Sequence, residues 1–569
     1  MTYRAPADDF QFILEKIVDF SRVSQMDQFA DVDADVVVAI LEEAAKLASD
    51  VIAPLDRGGD QQGATLVDGV VKTSPGFAEG FAKIAEGGWI GMLASSENGG
   101  MGLPLSVATA VNDMLAGACL SLSLNPLMSQ GQIEALEHHA SEDIKALYLP
   151  KLLDGTWCGT MNLTEAGAGS DVGALRTKAT RNADGTYNIT GQKIFITWGD
   201  SDFAENICHL VLARLPDGVE GTKGISLFMV PKIIPKADGS LGDANTLSVV
   251  SLEHKLGIHG SPTCVMEYTD AKGWLIGREH EGIKCMFTMM NNARLGVAVQ
   301  GVGVAEAATQ RALGYAQDRV QGKPLAGGSG SIFDHADVRR MLATMRADTF
   351  VARAIALACG VALDLGNEDA DQAAKGAFLI PIAKAFGTDT GHDVAQIGVQ
   401  VHGGMGYIEE TGAAQYARDA RITSIYEGTN GIQAMDLVSR KLNDGGEVAF
   451  AILDEIESFA EAARVQMPHL AKEVWSAAET LREGVEVMIA LPLNDRFAGA
   501  VPFLRAFARV LGGHYHLKAA MAEDGEGKRT KLAAFYIHRL LPEHGPLLAQ
   551  ARLGSDDLYA FSAHELSAE

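Results

Sequence analysis

The spacing of apolar residues changes twice along this chain, and that double switch restricts it to a β unit set between helical ones. In residues 34–53, 76–85, 105–116 and 132–153 apolar side chains recur every three or four positions, which predicts helices. Pro54 is a natural stop for the first of these, and turn residues with short β-prone pieces over 63–72 predict a small hairpin. Near Trp157 the period shortens. Thr186-Tyr187-Asn188-Ile189-Thr190 and Lys193-Ile194-Phe195-Ile196-Thr197, separated by Gly191-Gln192, predict a hairpin, and 207–215, 224–231 and 263–268 continue as strands. Helical period returns at Gly282 and holds over 286–320, 334–366, 376–401 and 431–442. After Asn443-Asp444-Gly445-Gly446 a further helical block runs from Val448 to about Arg552.

The predicted class is α+β, with an N-terminal extension (1–35), a helical domain (36–157), a β domain (158–275), a four-helix-type domain (276–440) and an additional helical domain (441–569). A chain of 569 residues exceeds one ordinary domain. It holds no unbroken apolar run of about 18 residues, so membrane insertion is not expected. The opening Met1-Thr2-Tyr3-Arg4-Ala5-Pro6 lacks the pattern of a signal peptide. Six cysteines without close pairs fit reduced thiols in a cytoplasmic protein better than disulfides or a zinc site. The net charge of −26 repels nucleic-acid phosphates and anionic membranes.

Five segments carry chemistry. In Leu163-Thr164-Glu165-Ala166-Gly167-Ala168-Gly169-Ser170-Asp171 small residues let backbone N–H groups approach a planar or anionic ligand, although such turns also occur for structural reasons alone. Phe195-Ile196-Thr197 ends a strand with a hydroxyl that could meet a ring nitrogen, or is simply β-prone. Arg319-Val320-Gln321-Gly322-Lys323-Pro324 closes a long helix with cations that suit a pyrophosphate or the helix dipole. Gln400-Val401-His402-Gly403-Gly404-Met405-Gly406-Tyr407 ends another helix with more glycine than one cap needs. In Ile425-Tyr426-Glu427-Gly428-Thr429-Asn430, following Arg418-Asp419-Ala420-Arg421, a carboxylate stands beside apolar residues and is a candidate for a raised pKa. The alternative is a glutamate at a helix start, since Thr429 and Asn430 are good N-caps. Two other signals point elsewhere. Gly301-Val302-Gly303 lies in a helical pattern with Glu306 at the third glycine of a dinucleotide fingerprint, which favours tight helix packing. Glu134 with His138-His139 lacks further metal ligands and reads as helix surface, so no metal is expected.

In this order and at these separations the segments resemble the FAD-dependent acyl-CoA dehydrogenases over about residues 36–440, together with Glu97-Asn98-Gly99-Gly100-Met101-Gly102-Leu103 and Lys255-Leu256-Gly257-Ile258. The resemblance implies oxidation of the Cα–Cβ bond of an acyl-CoA to a trans-2-enoyl-CoA, with Glu427 as the base. It implies FAD contacts at Met161, Leu163, Thr164, Gly169, Ser170, Phe195, Thr197 and Thr429. It also implies FAD contacts across a subunit interface at Arg319, Gln321, Gln400, Gly403 and Gly404, hence at least a homodimer. Arg294, Ser170, Tyr426 and Gly428 fall at substrate positions, and the implied electron acceptor is electron-transfer flavoprotein. Four positions depart from the common pattern: Ala166 for Pro, Phe195 for Trp, Val320-Gln321 without the usual aromatic, and Gly431 for a polar residue. The Tyr3-Arg4-Ala5-Pro6 start and the long helical tail resemble a longer bacterial subgroup of the family. That subgroup includes the 3-methylmercaptopropionyl-CoA dehydrogenases of dimethylsulfoniopropionate catabolism. A short- or medium-chain dehydrogenase, an acyl-CoA oxidase and a non-catalytic flavoprotein of the same fold are the competing expectations.

Overall fold

Three long helices, Gly282–Asp318, Ala336–Leu365 and Ala370–His402, bury most of their circumference, as helices at the centre of a bundle must. The computed structural model describes residues 3–523 and 527–567; Met1 and Thr2 of the opening, and residues 524–526 and 568–569 of the tail, lie outside the described residues. A Cβ at Gly301 would strike the Gly387 carbonyl, and one at Gly303 the Asp113 carbonyl. These glycines therefore serve close helix approach, the reading preferred over a dinucleotide motif.

The N-terminal helices differ from expectation at two places. Pro54 does not end the run that starts with Ala34–Lys46. It sits in the short 3-10 turn Ala53–Leu55, where no N–H is needed, and the helix resumes over Asp56–Gln62 until Gly63 at φ 65°. The helix predicted over 132–153 is two helices, Leu120–His139 and Glu142–Leu153, parted by Ala140 in an extended conformation. The small hairpin forms as expected, Thr65–Val67 pairing with Val70–Lys72.

In the β unit the predicted hairpin at Gly191-Gln192 is instead one strand, Tyr187–Thr197. Thr263–Ile276 runs antiparallel beside it, from Thr263 opposite Thr197 to Gly273 opposite Tyr187, with bulges between Cys264 and Met266 and between Tyr268 and Ala271, so pairing on both sides of Gly191 overrides the local turn signal. Thr263–Ile276 also pairs with Ile225–Pro231, which pairs with Asn206–Arg214. Lys178–Arg181 bridges Asn206–Arg214 back to Tyr187–Thr197, closing a five-strand ring. Ile189, Ile196, Val211, Phe228, Val230 and Tyr268 belong to its buried core. Trp157–Asn162 adds to this ring in parallel with Asn206–Arg214.

The tail is helical, and its Leu493–Met521 helix packs against both Ala370–His402 and the short helix Asn430–Asp436. The N-terminal segment is built into the body: Tyr3 is buried beside Gly117, where a Cβ would come within 2.8 Å of its ring. All six cysteines are unpaired and buried. Among the described residues no helix is long and apolar enough to cross a membrane.

Candidate active site

The loop before the Asn430–Asp436 helix is shaped by its own sequence. Thr429 is the N-cap, its hydroxyl accepting from the Ile432 N–H at 3.3 Å. The capping role therefore falls to Thr429 and leaves the Glu427 carboxylate uncommitted. Glu427 and Gly428 both lie in the left-handed region, at φ 54° and 82°. Glycine meets that demand at 428, whereas a glutamate there is strained and must be held by its surroundings. The Gln433 amide supplies part of the hold, donating to the Glu427 carbonyl at 3.4 Å and the Gly428 carbonyl at 3.3 Å.

Burial raises the Glu427 carboxyl above the usual glutamate range, opposed by the cations of Arg294 and Lys384. Arg294, only 7% exposed, lies 3.7 Å from Asp436, and its Nε has no partner among the described residues. The Tyr426 hydroxyl donates to the Gln300 side chain, fixing the ring beside Glu427. The structure thus gathers Glu427, Arg294, Tyr426, Gly428 and Thr429. Sequence reading missed Lys384, Gln300, Gln433 and Asp436. Only Lys384 left a signal, as the single cation in the apolar run Ile380-Pro381-Ile382-Ala383-Lys384-Ala385-Phe386.

A second group forms at the lip of the β ring. The Ile194 N–H donates to the Thr164 carbonyl at 2.9 Å, setting the loop after Met161 against Phe195 and Thr197. Buried Lys193 donates to the Leu163 carbonyl at 3.0 Å and to Glu165 at 2.9 Å. Glu165 in turn accepts from the Thr177 hydroxyl at 2.6 Å and the Arg176 N–H at 2.7 Å. Next to this pinned loop the backbone is open: a Cβ at Gly167 or Gly169 would meet nothing within 4 Å, and Ser170 is exposed. Phe195, at φ 60°, leaves 58% of its surface uncovered. A bare aromatic face beside open N–H groups and the Thr197 hydroxyl suits a flat, polar-edged ring system such as a flavin.

The third group comprises Arg319, Gln321, Gln400, Gly403 and Gly404, all exposed. Stacking of Tyr315 on His402, with ring centroids 4.3 Å apart, joins the two helix ends that carry them. Arg319 donates to the Gln321 side chain at 3.2 Å. Among the described residues no hydrogen bond links this group to the β lip or to Glu427.

The Glu134–His138–His139 cluster is not mere helix surface. The Asn292 amide donates to Glu134 at 2.7 Å, and His139 Nε2 lies 2.6 Å from the Thr288 hydroxyl. Burial pushes the Glu134 carboxyl up to about 7. A carboxyl whose folded pKa exceeds its unfolded value costs stability as pH rises through that folded value. Glu134→Gln can still accept from Asn292 but has no charge to bury. Its thermal midpoint relative to the parent is therefore expected to rise between pH 5 and pH 8, and a difference that is flat with pH would contradict this.

Four family models cover most of the chain: "Acyl-CoA dehydrogenase, N-terminal domain" over 37–156, "middle domain" over 160–271, "C-terminal domain" over 280–442, and "Acetyl-CoA dehydrogenase C-terminal like" over 452–562. The chain is 43% identical over 575 residues to the 3-methylmercaptopropionyl-CoA dehydrogenase of Ruegeria pomeroyi, spanning 98% of this chain and 96% of that one. It is 35% identical to a butyryl-CoA dehydrogenase of Syntrophomonas wolfei, spanning 94% of each. Among solved structures, an acyl-CoA dehydrogenase of Bacillus anthracis complexed with FAD superposes with a TM-score of 0.75 at 20% identity, over 96% of this chain and 92% of that one.

Proposed function

Because this chain belongs to the acyl-CoA dehydrogenase family, whose members are FAD-dependent oxidoreductases, we propose that Glu427 is its catalytic base and that its substrate is 3-methylmercaptopropionyl-CoA. The observation that carries the base is a carboxylate of raised pKa, in a left-handed loop, relieved of capping by Thr429.

The chemistry that FAD would supply when bound is a hydride acceptor for the β-hydrogen of the acyl chain. The chain's own part is to take the α-proton and to stabilise the charge that develops on the thioester oxygen. The Glu427 carboxylate takes the proton, and its raised pKa brings it closer to that of the carbon acid. The Glu427 N–H donates to no acceptor among the described residues and is free to meet the thioester oxygen. Arg294 and Tyr426 line the same loop, positioned by Asp436 and Gln300. Leu163, Thr164, Gly169, Ser170, Phe195, Thr197 and Met161 cradle the flavin.

Arg319, Gln321, Gln400, Gly403 and Gly404 hold the cofactor of a second copy, which makes the assembly at least a homodimer. Exposed Val320, Leu325, Met405 and Tyr407 beside them supply the apolar surface for that contact. Unpaired thiols fit the cytoplasm, and electron-transfer flavoprotein is the acceptor.

The butyryl-CoA relative favours a second reading, a short-chain dehydrogenase. The holoenzyme, with its mass measured by light scattering, should bleach its flavin faster with 3-methylmercaptopropionyl-CoA than with butyryl-, hexanoyl- or octanoyl-CoA. Faster bleaching with butyryl-CoA selects the second reading. Rapid peroxide formation in air without electron-transfer flavoprotein would make the enzyme an oxidase.

A further inference from the structure

Lys384 is fully buried in the Ala370–His402 helix among Ile380, Pro381, Ile382, Ala383, Ala385 and Phe386. The one hydrogen bond of its ammonium to a described residue goes to the Asn430 side-chain oxygen Oδ1, at 2.9 Å. It has no carboxylate within ion-pair distance among the described residues. Burying an ammonium with one neutral acceptor is costly, and an apolar side chain would serve the packing of this face better. The cost is organised around the base loop. Asn430, three residues after Glu427, has its amide oriented by donating to Asp389 at 2.7 Å, the Thr388 hydroxyl at 3.0 Å and the Ala385 carbonyl at 3.2 Å. Its side-chain oxygen faces Lys384, with the Thr388 hydroxyl also within 3.2 Å of it.

The acids that act on Lys384 are Glu427 first and then Asp389, and burial brings its ammonium down to about 8. From the Gly282–Asp318 helix Arg294, paired with Asp436, also faces Glu427. Arg440 and Lys441, in the turn that follows the Asn430–Asp436 helix, act on Arg294 and Asp436. Arg505 of the tail acts on Asp389, together with Asp393. Lys384 is therefore a cation that acts on Glu427 and has no acid at ion-pair distance among the described residues.

We infer that Lys384 is a positioning residue for the base: its ammonium, fixed by Asn430, keeps the Glu427 carboxylate in its anionic form and its loop against the long helix. The inference rests on the assignment of Glu427 as base, and two measurements separate the two claims. The first is a thermal double-mutant cycle on the FAD-loaded enzyme at pH 7, where the lysine carries its charge, with Lys384→Met, Glu427→Gln and the pair. Charge coupling makes Lys384→Met less damaging to the midpoint when residue 427 is already neutral; additive midpoints overturn the inference, whatever Glu427 does in catalysis.

The second is the pH profile of anaerobic flavin reduction. Removing the cation raises the pKa of the base, so its anion appears only at higher pH. Lys384→Met is expected to be roughly ten-fold slower than the parent at pH 6.5 and to approach it at pH 9. Lys384→Gln, which keeps a hydrogen bond to Asn430 but no charge, is expected to behave alike. A profile that is lowered equally at every pH, or loss of the FAD-loaded enzyme in both variants, assigns the lysine to folding and overturns the inference. If Glu427→Gln still bleaches the flavin normally, the base assignment fails while the thermal cycle still decides the coupling.

Discussion

Glu427→Gln is expected to slow anaerobic flavin reduction by about 10³- to 10⁴-fold while FAD content, thermal midpoint and acyl-CoA binding stay close to the parent. Glutamine fills the same volume and places no new demand on a loop already held by Gln433 and the Thr429 cap. What it lacks is a site for the proton. The α-proton of a thioester is far too weakly acidic to leave for water while hydride departs from the neighbouring carbon, so the loss falls on the chemical step rather than on binding. Glu427→Asp tests distance as well: the base survives but its oxygen retreats by one methylene, and an intermediate rate is expected. Stopped-flow bleaching with excess acyl-CoA reads both variants. Normal bleaching by the glutamine variant would exclude Glu427 as the base.

That such a prediction can be made owes much to local sequence. Thr429 and Gly428 are legible locally, because a helix cap and a left-handed turn each favour particular residue types, whereas Glu427 was singled out by the family resemblance of the whole motif. The ring of strands was legible in outline for the same reason, as alternation is a local signal. Gly191 was not, since a glycine inside a strand can mark either a turn or a bulge. Only the long partner strand Thr263–Ile276 decides between them. Pro54 misled because a proline stops a helix only when its own N–H is wanted. Lys384 stood in plain sight, but a lone lysine on an apolar helix says nothing of what it faces until Asn430, 46 residues later, is folded back onto it. Nor could periodicity show that the tail helix Leu493–Met521 backs the helix following the base.

The largest expected loss of stability lies away from the active site, at Arg353. Its guanidinium, 2% exposed, grips Asp113 through two bonds of 2.9 and 3.1 Å and Glu306 through one of 3.0 Å, and both acids are buried. Glu306 also takes Arg346 at 2.7 Å, Arg346 reaches Asp9 at 3.0 Å, and Asp9 takes Arg529 of the tail at 2.9 Å. One continuous ionic chain thus ties the N-terminal segment, the first helical unit, the central bundle and the tail. Arg353→Met fits the space but strands Asp113 without a cation, which costs about 3–5 kcal/mol for a buried pair broken on one side. Glu306 loses less, because Arg346, the stronger of the two cations that lower its carboxyl, stays in place. Burial already lifts Asp113 to about 6 with the arginine present, and without it the carboxyl rises further. A carboxyl raised in the folded state loses stability as pH increases, so the deficit of Arg353→Met should be smaller at pH 5, where Asp113 can take up a proton, than at pH 8. Thermal unfolding of the FAD-loaded enzyme at the two pH values reads this. Adding Asp113→Asn removes the stranded charge and should recover most of the midpoint at pH 8. A double variant no more stable than Arg353→Met would locate the loss in packing around Phe10, over whose ring the guanidinium lies at 4.6 Å, rather than in the unpaired acid.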